Sequence, residues 1–187
     1  MSTEPFKNEK SAAYTWWRQL QPQEDGEGVN RRGDRAAAAR LRRAASILEA
    51  AAEPATVDLY RRLGFTRPEV DLGRAALVAA VLAHVRKDDP GHSVAEAIGA
   101  PKSGDAETAL ISPLRFKRII AARDPDDLLI AFRRVIAILG GKADVKNITA
   151  VLLGFTDERW AEITRTRFAF AYHGAALAAP QPEAKAI

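Results

Sequence analysis

The sequence predicts an all-α protein, a compact bundle of roughly eight helices in two packed subdomains. Three observations carry that prediction. No stretch keeps the period-2 alternation of a half-buried strand. The run from Ala75 to Val85 is apolar almost all round, and its length and alanine content favour a buried helix over a buried strand. Helix-start signals recur in the second half. Ser112 precedes Pro113 and Asp124 precedes Pro125, each a capping side chain ahead of a proline at the first helical position.

Each element follows from local chemistry. Residues before about Ser11 are polar and expected to fray, so the first helix is read from Ala12 to Leu20, anchored by Tyr14, Trp16, Trp17 and Leu20. Gln21 to Asn30 reads as a loop on its glycines, proline and acids. Asp34 starts the next helix, with Ala37, Leu41, Ala44 and Leu48 on its buried stripe. That helix is expected to stop before Pro54, whose ring disfavours helical geometry in Glu53. A short helix follows from Thr56 to Leu63. Asp71 to Lys87 forms the central helix, ended by Asp88, Asp89, Pro90 and Gly91.

Gly91 to Ile111 reads as a long loop with one short helix, Val94 to Ile98, a loop that could order when a partner binds. Ser112 caps a helix that buries Phe116, Ile119 and Ile120. The Asp124 helix turns Leu128, Phe132, Val135, Ile136 and Leu139 inward and stops at Gly140 and Gly141. Asp144 caps a helix through Leu153, and Thr156 starts a last one running to about Tyr172. From Gly174 the chain reads as a disordered tail.

With 187 residues, 47% of them hydrophobic, the chain suits one domain or two small subdomains sharing a core. The expected boundaries are 12–92 and 93–175, with flexible tails at 1–11 and 176–187. The absence of cysteine excludes disulfides, thiolate nucleophiles and cysteine-ligated zinc. No apolar window approaches a membrane span, and MSTEPFKNEK is too polar for a secretory signal. A soluble, cytoplasmic protein without membrane contact is expected.

The formal net charge is only +4, so clustering decides more than the total. Six arginines and one acid fall between Asn30 and Arg43. On a helical wheel Arg35, Arg42 and Arg43 lie opposite the buried stripe, while Arg31 and Arg32 flank the helix start. Guanidinium forks on one face suit phosphates, which they bind through two parallel bonds. The alternative is a solvated face that keeps the protein soluble. Further basic residues recur at Arg115, Lys117 and Arg118, at Arg133 and Arg134, and at Lys142 and Lys146. On one surface these would form a groove for a phosphate backbone, positioning nucleic acid without reading its sequence.

Catalysis finds no support. His84, His92 and His173 are scattered, and none sits in a metal-ligand motif. His84 lies one turn from Asp88, but a histidine at the end of a buried helix reads as a hydrogen-bonded structural group. Asp124, Asp126 and Asp127 suit a helix start, where the macrodipole favours negative charge. Gly140 and Gly141 follow a helix rather than a strand, which excludes a nucleotide-binding loop. No enzyme, cofactor or metal is expected. A helix-turn-helix within Ala143–Phe170 would put Asp157 and Glu158 at the end that enters the groove, where they repel DNA. A helical adaptor that binds only protein is the remaining rival.

Four blocks stand together in order: WWRQLQP, GDRAAAARLRRA, ISPLRFKRIIAARDPDDLLIAFRRVIAIL and NITAVLLGFTDERWAEITRTRFAFAY. Together they resemble CasB, the small-subunit family of the type I-E CRISPR surveillance complex, Cascade, from about Trp16 to Tyr172. Phe155 departs from the pattern where members often carry tryptophan, and RFAFAYH lacks a tryptophan expected near the end. The resemblance implies an all-helical, non-catalytic subunit. Its partners would be crRNA, the target and displaced DNA strands, the backbone and large subunits, and tandem copies of itself. Carried over block by block, it implicates Arg42, Arg43, Arg115, Arg118, Arg133 and Arg134 in holding the R-loop.

Overall fold

The computed structural model describes residues 5–24, 30–31, 33–102 and 105–177. Its described residues form ten helices and three short strand pairs. Helix α1 (Lys7–Leu20) is followed by strands β1 (Gln23–Glu24) and β2 (Asn30–Arg31), then by α2 (Arg35–Arg43), α3 (Ile47–Ala51), α4 (Pro54–Arg62) and α5 (Pro68–Leu82). Next come β3 (Lys87–Asp88), α6 (Val94–Gly99), β4 (Pro101–Lys102) and β5 (Asp105–Ala109). The last elements are α7 (Pro113–Ala121), α8 (Pro125–Ile138), β6 (Lys142–Ala143), α9 (Val145–Phe155) and α10 (Ala161–Leu177). The fold is all-α, as expected.

Helix α5 is the axis of the bundle. Residues Ala75 to Leu82 have no exposed surface. Small side chains such as Ala75, Ala76, Ala79 and Ala80 let α2, α3, α4, α8 and α9 pack around it. Leu77, Val78, Val81 and Leu82 each contribute about 1.5–3 kcal/mol by burial. One cluster of buried residues runs from Ala13 to Tyr172 through both expected subdomains. Indole N–H groups cross-link the layers, Trp16 donating to the Ala55 carbonyl at 3.0 Å and Trp17 to that of Val85 at 2.9 Å. Helix α6 lies against α10 so closely that a Cβ on Gly99 would collide with the Tyr172 backbone.

Several boundaries differ from expectation. Helix α1 begins at Lys7 rather than Ala12, because the polar residues before Ser11 form the outer face of a helix whose first turn is held by Phe6 against the core. The expected single helix from Asp34 to Pro54 breaks at Ala44–Ser46. There the Ser46 hydroxyl accepts the Glu49 N–H and starts α3 afresh. The break shifts the helical phase, so Leu48 is 80% exposed instead of lying on the buried stripe. Ser112 holds the N-cap conformation of α7 without a side-chain bond. Thr156 does not start the last helix. Its hydroxyl donates back to the Leu152 carbonyl, and Asp157 accepts the Arg159 and Trp160 N–H groups instead. Helix α10 runs past Tyr172 to Leu177. In the expected 91–111 loop, Ser93 and Glu96 form a capping box for α6, and β4 pairs antiparallel with β5.

Candidate nucleic-acid interface

Helix α8 positions the basic surface. It buries Leu128, Leu129, Phe132, Val135 and Ile136. Asp126 and Arg133, seven residues apart, project from nearly the same line. Both grip the elbow between α2 and α3. Asp126 Oδ1 accepts the Ile47 N–H at 2.6 Å, and Arg133 Nη2 donates to the carbonyls of Leu41 (3.2 Å) and Ala44 (2.7 Å). Those carbonyls end α2, where a cation is favoured by the macrodipole. Burial holds the Arg133 pKa below the usual guanidinium range. Arg133 was expected on the phosphate-facing surface; it is half-buried and turned inward.

Arg134, rotated by about 100°, is exposed on the other flank. There α7 and α8 leave a groove of about 850 Å³ edged by Arg115, Arg118 and Arg134, with Ile119, Ile130 and Ile138 among its apolar lining. Arg115 and Arg118 share a face of α7 one turn apart, while Phe116 and Ile119 are buried on the adjoining face. Phe116 stacks on Tyr172 with ring centroids 3.8 Å apart. Arg165 ties down the end of α7 by donating to the carbonyls of Ile120 (3.1 Å) and Ala122 (2.9 Å). The groove wall is therefore fixed from behind by α10. None of Arg115, Arg118 and Arg134 forms an ion pair among the described residues, although Asp127 lines the same groove. Guanidinium groups over an apolar floor can hold phosphates while bases lie against the floor.

A second basic group lies on the far side of Arg133. His84 follows α5, and its imidazole pKa is pushed down to about 4 by burial, then by the charges of Arg133, Arg42 and Arg86. The hydrogen bond expected of His84 is not made by Nε2, which is buried and without a partner. Nor does Asp88 serve it, since Asp88 Oδ1 accepts the Val145 N–H. Lys142 on β6 is exposed and registers beside Lys87 on β3. Gly141, at φ 81°, makes room there, since a Cβ would crowd the Arg86 side chain.

The remaining candidates are dispersed. Arg35 is exposed at the start of α2, about 10 Å along the axis from Arg42. Arg43 and Lys117 are exposed at the end of α2 and on α7. Arg31 is described in its backbone alone, and Arg32 lies outside the described residues. Arg86 and His84 were missed as members of a basic site because they look like the end of a buried helix. Trp16, Trp17, Phe168 and Tyr172 are core residues, and Phe155 packs beneath Arg165, 4.5 Å from ring to guanidinium. No group of three acidic, histidine or cysteine residues able to hold a metal occurs among the described residues. None of their helices is long and apolar enough to cross a membrane.

Comparison with known proteins places this geometry. The family model for CRISPR-associated protein Cse2 matches residues 37–173. Similar solved structures include CasB from Thermus thermophilus, with a TM-score of 0.62 and 20% identity over 92% of this chain and 99% of that one. CasB from Thermobifida fusca gives 0.56 and 17% identity over 90% and 94%. A chain in the structure of E. coli Cascade bound to a PAM-containing double-stranded DNA target gives 0.56 and 21% identity over 87% and 97%. No curated protein sequence matches.

Proposed function

The chain belongs to the CRISPR-associated Cse2 family, and from that premise we propose that it is the non-catalytic small subunit of a type I-E Cascade complex in the cytoplasm. Its basic helical surface holds the phosphate backbone of the crRNA–target duplex and of the displaced strand. Its protein partners are the backbone and large subunits and a tandem copy of itself. The E. coli Cascade chain of the same fold sits in a complex with DNA, which supports that setting.

The observation that carries the role is the α7–α8 groove, edged by Arg115, Arg118 and Arg134 without a paired carboxylate among the described residues. R-loop formation exchanges two duplexes of similar stability, so a few phosphate contacts tip it. Cascade reconstituted with R115E/R118E/R134E should bind target DNA at least about tenfold more weakly at low salt, with the helicity of the subunit unchanged. Unchanged target affinity would remove the groove from this role.

A protein-only adaptor is favoured by one observation, the exposure of Leu114, Ile130 and Ile138 beside the same arginines. In that case the triple variant would drop out of the assembled complex. A helix-turn-helix role fits less well, because α9 is almost wholly buried and Arg165 on α10 is engaged with α7.

A further inference from the structure

The mouth of the α7–α8 groove lies at the end of the molecule where α10 leaves the bundle. Helices α7 and α10 run antiparallel. Arg165 meets the Ile120 and Ala122 carbonyls at the end of α7, while Tyr172 stacks on Phe116 and donates to the Ile111 carbonyl ahead of its start. Helix α10 continues to Leu177, about 7.5 Å beyond Tyr172, and so ends roughly level with the first turn of α7. Helices α7 and α8 are joined through residues 122–124, which places Ala121, Ala122 and Asp127 at the closed end of the groove. Arg115, Arg134 and Ile138 stand at its mouth. Leu114, Ile130 and Ile138 are exposed along this path, and covering such apolar surface is favourable.

Residues 178–187, AAPQPEAKAI, lie outside the described residues. We propose that this segment turns back into the α7–α8 groove, with Glu183 against Arg115 and Arg134, Lys185 toward Asp127 and Ile187 on the floor beside Ala121, and that it thereby competes with nucleic acid for the groove. The reach is sufficient. Residues 178–182 extended span up to about 17 Å, enough to round the start of a helix about 10–12 Å across. The order of charges matches one direction of entry. Coming from the mouth, the acid meets the arginines first. Two residues, or about 7 Å, further on, the lysine approaches Asp127, which lies about 10.5 Å from Arg134 along α8. Pro180 and Pro182 narrow the freedom of the connecting chain and so lower the cost of seating it. Exposed ion pairs of this kind contribute little, but attachment to α10 supplies an effective concentration of about millimolar. A polyanion then displaces the segment readily. The competition rests on the nucleic-acid reading of the groove; the seating does not.

The test uses the full chain, whose lack of cysteine makes Ala186→Cys a single attachment point for a nitroxide label. In amide NMR spectra the label should broaden Ala121, Ala122, Asp127 and Ala131 most strongly. The broadening should be lost in E183K/K185E, which keeps the net charge and reverses the order of the two charges. Broadening that misses the groove, or that survives the charge reversal, would overturn the seating. A mixture of labelled chains and isotope-enriched unlabelled chains identifies the other occupant. Broadening of the unlabelled groove would show the segment of a second copy there and overturn the intramolecular contact. Single-stranded DNA then tests the competition. It should relieve the broadening, and E183K/K185E without the label should bind it about threefold or more tightly than the wild type, since a covered groove binds in proportion to its open fraction. If the label reports seating that DNA does not relieve, the segment occupies the groove and the nucleic-acid reading fails. If no seating is found while R115E/R118E/R134E still weakens target binding by Cascade, the seating fails and that reading stands.

Discussion

The two flanks of α8 carry neighbouring arginines with opposite uses. On one flank Arg133 closes the seam with the α2–α3 elbow, bonding to main-chain carbonyls. On the other Arg134 stands at the rim of an open groove with Arg115 and Arg118. A rotation of about 100° between adjacent helical positions separates a group that holds the fold from one that can hold a ligand. The inward set includes two more members. Arg165 caps α7 from behind, and Arg74 bridges Asp71 (3.1 Å) and Asp157 (3.2 Å) beneath the α9–α10 turn. The arginines of the chain therefore divide into those engaged with the fold and those left exposed at the groove.

Substitutions should separate the two sets, and the largest effect is expected at Arg74. Its side chain is 7% exposed and that of Asp71 5%. Arg74→Ala leaves buried Asp71 held by the exposed Arg67 alone, removes the partner of Asp157 and of the Leu153 carbonyl, and should cost about 3–5 kcal/mol in chemical denaturation. Arg133→Ala leaves the Leu41 and Ala44 carbonyls without their donor, but no buried acid, and should cost about 1–3 kcal/mol. If Arg133→Ala melts like the wild type, the inward assignment is wrong.

A smaller effect comes from pH. His84 titrates near 4 in the fold, below its ordinary 6.5, so the unfolded chain binds more protons between those values. The stability is complete above pH 6.5 and is lost as pH falls toward 4. His84 is only partly buried, so screening reduces the loss to about 1–2 kcal/mol. Denaturant midpoints across that range should show the slope in the wild type, and H84Q should flatten it. The smallest effect is at Arg134, where alanine should change stability by no more than about 0.5 kcal/mol.

Much of the frame was legible in the sequence. Asp34, Asp124 and Asp144 cap the helices they precede, and α5 is buried all round from Ala75 to Leu82, because capping and apolar runs are local signals. The break at Ala44–Ser46 was not legible. Alanine continues a helix equally well on either side, and the Ile47 N–H that marks the break is met by Asp126, 79 residues away. Arg115 and Arg118 fell on one groove with Arg134 as a shared basic surface requires. Arg133 read like its neighbour because the α2 carbonyls it serves are distant in sequence. His84 was read as a hydrogen-bonded structural group, and the charges that act on its ring were not legible because they come from separate elements.

The most direct test is the salt dependence of single-stranded DNA binding by Cascade carrying variant small subunits. Each phosphate contact contributes about 0.7 to the slope of log affinity against log salt. R115Q/R118Q/R134Q should therefore flatten the slope by about 2 with an unchanged Tm, while R133Q should lower the Tm and leave the slope alone. An unchanged slope in the triple variant, or an equal slope change in R133Q, would contradict the division of labour on α8.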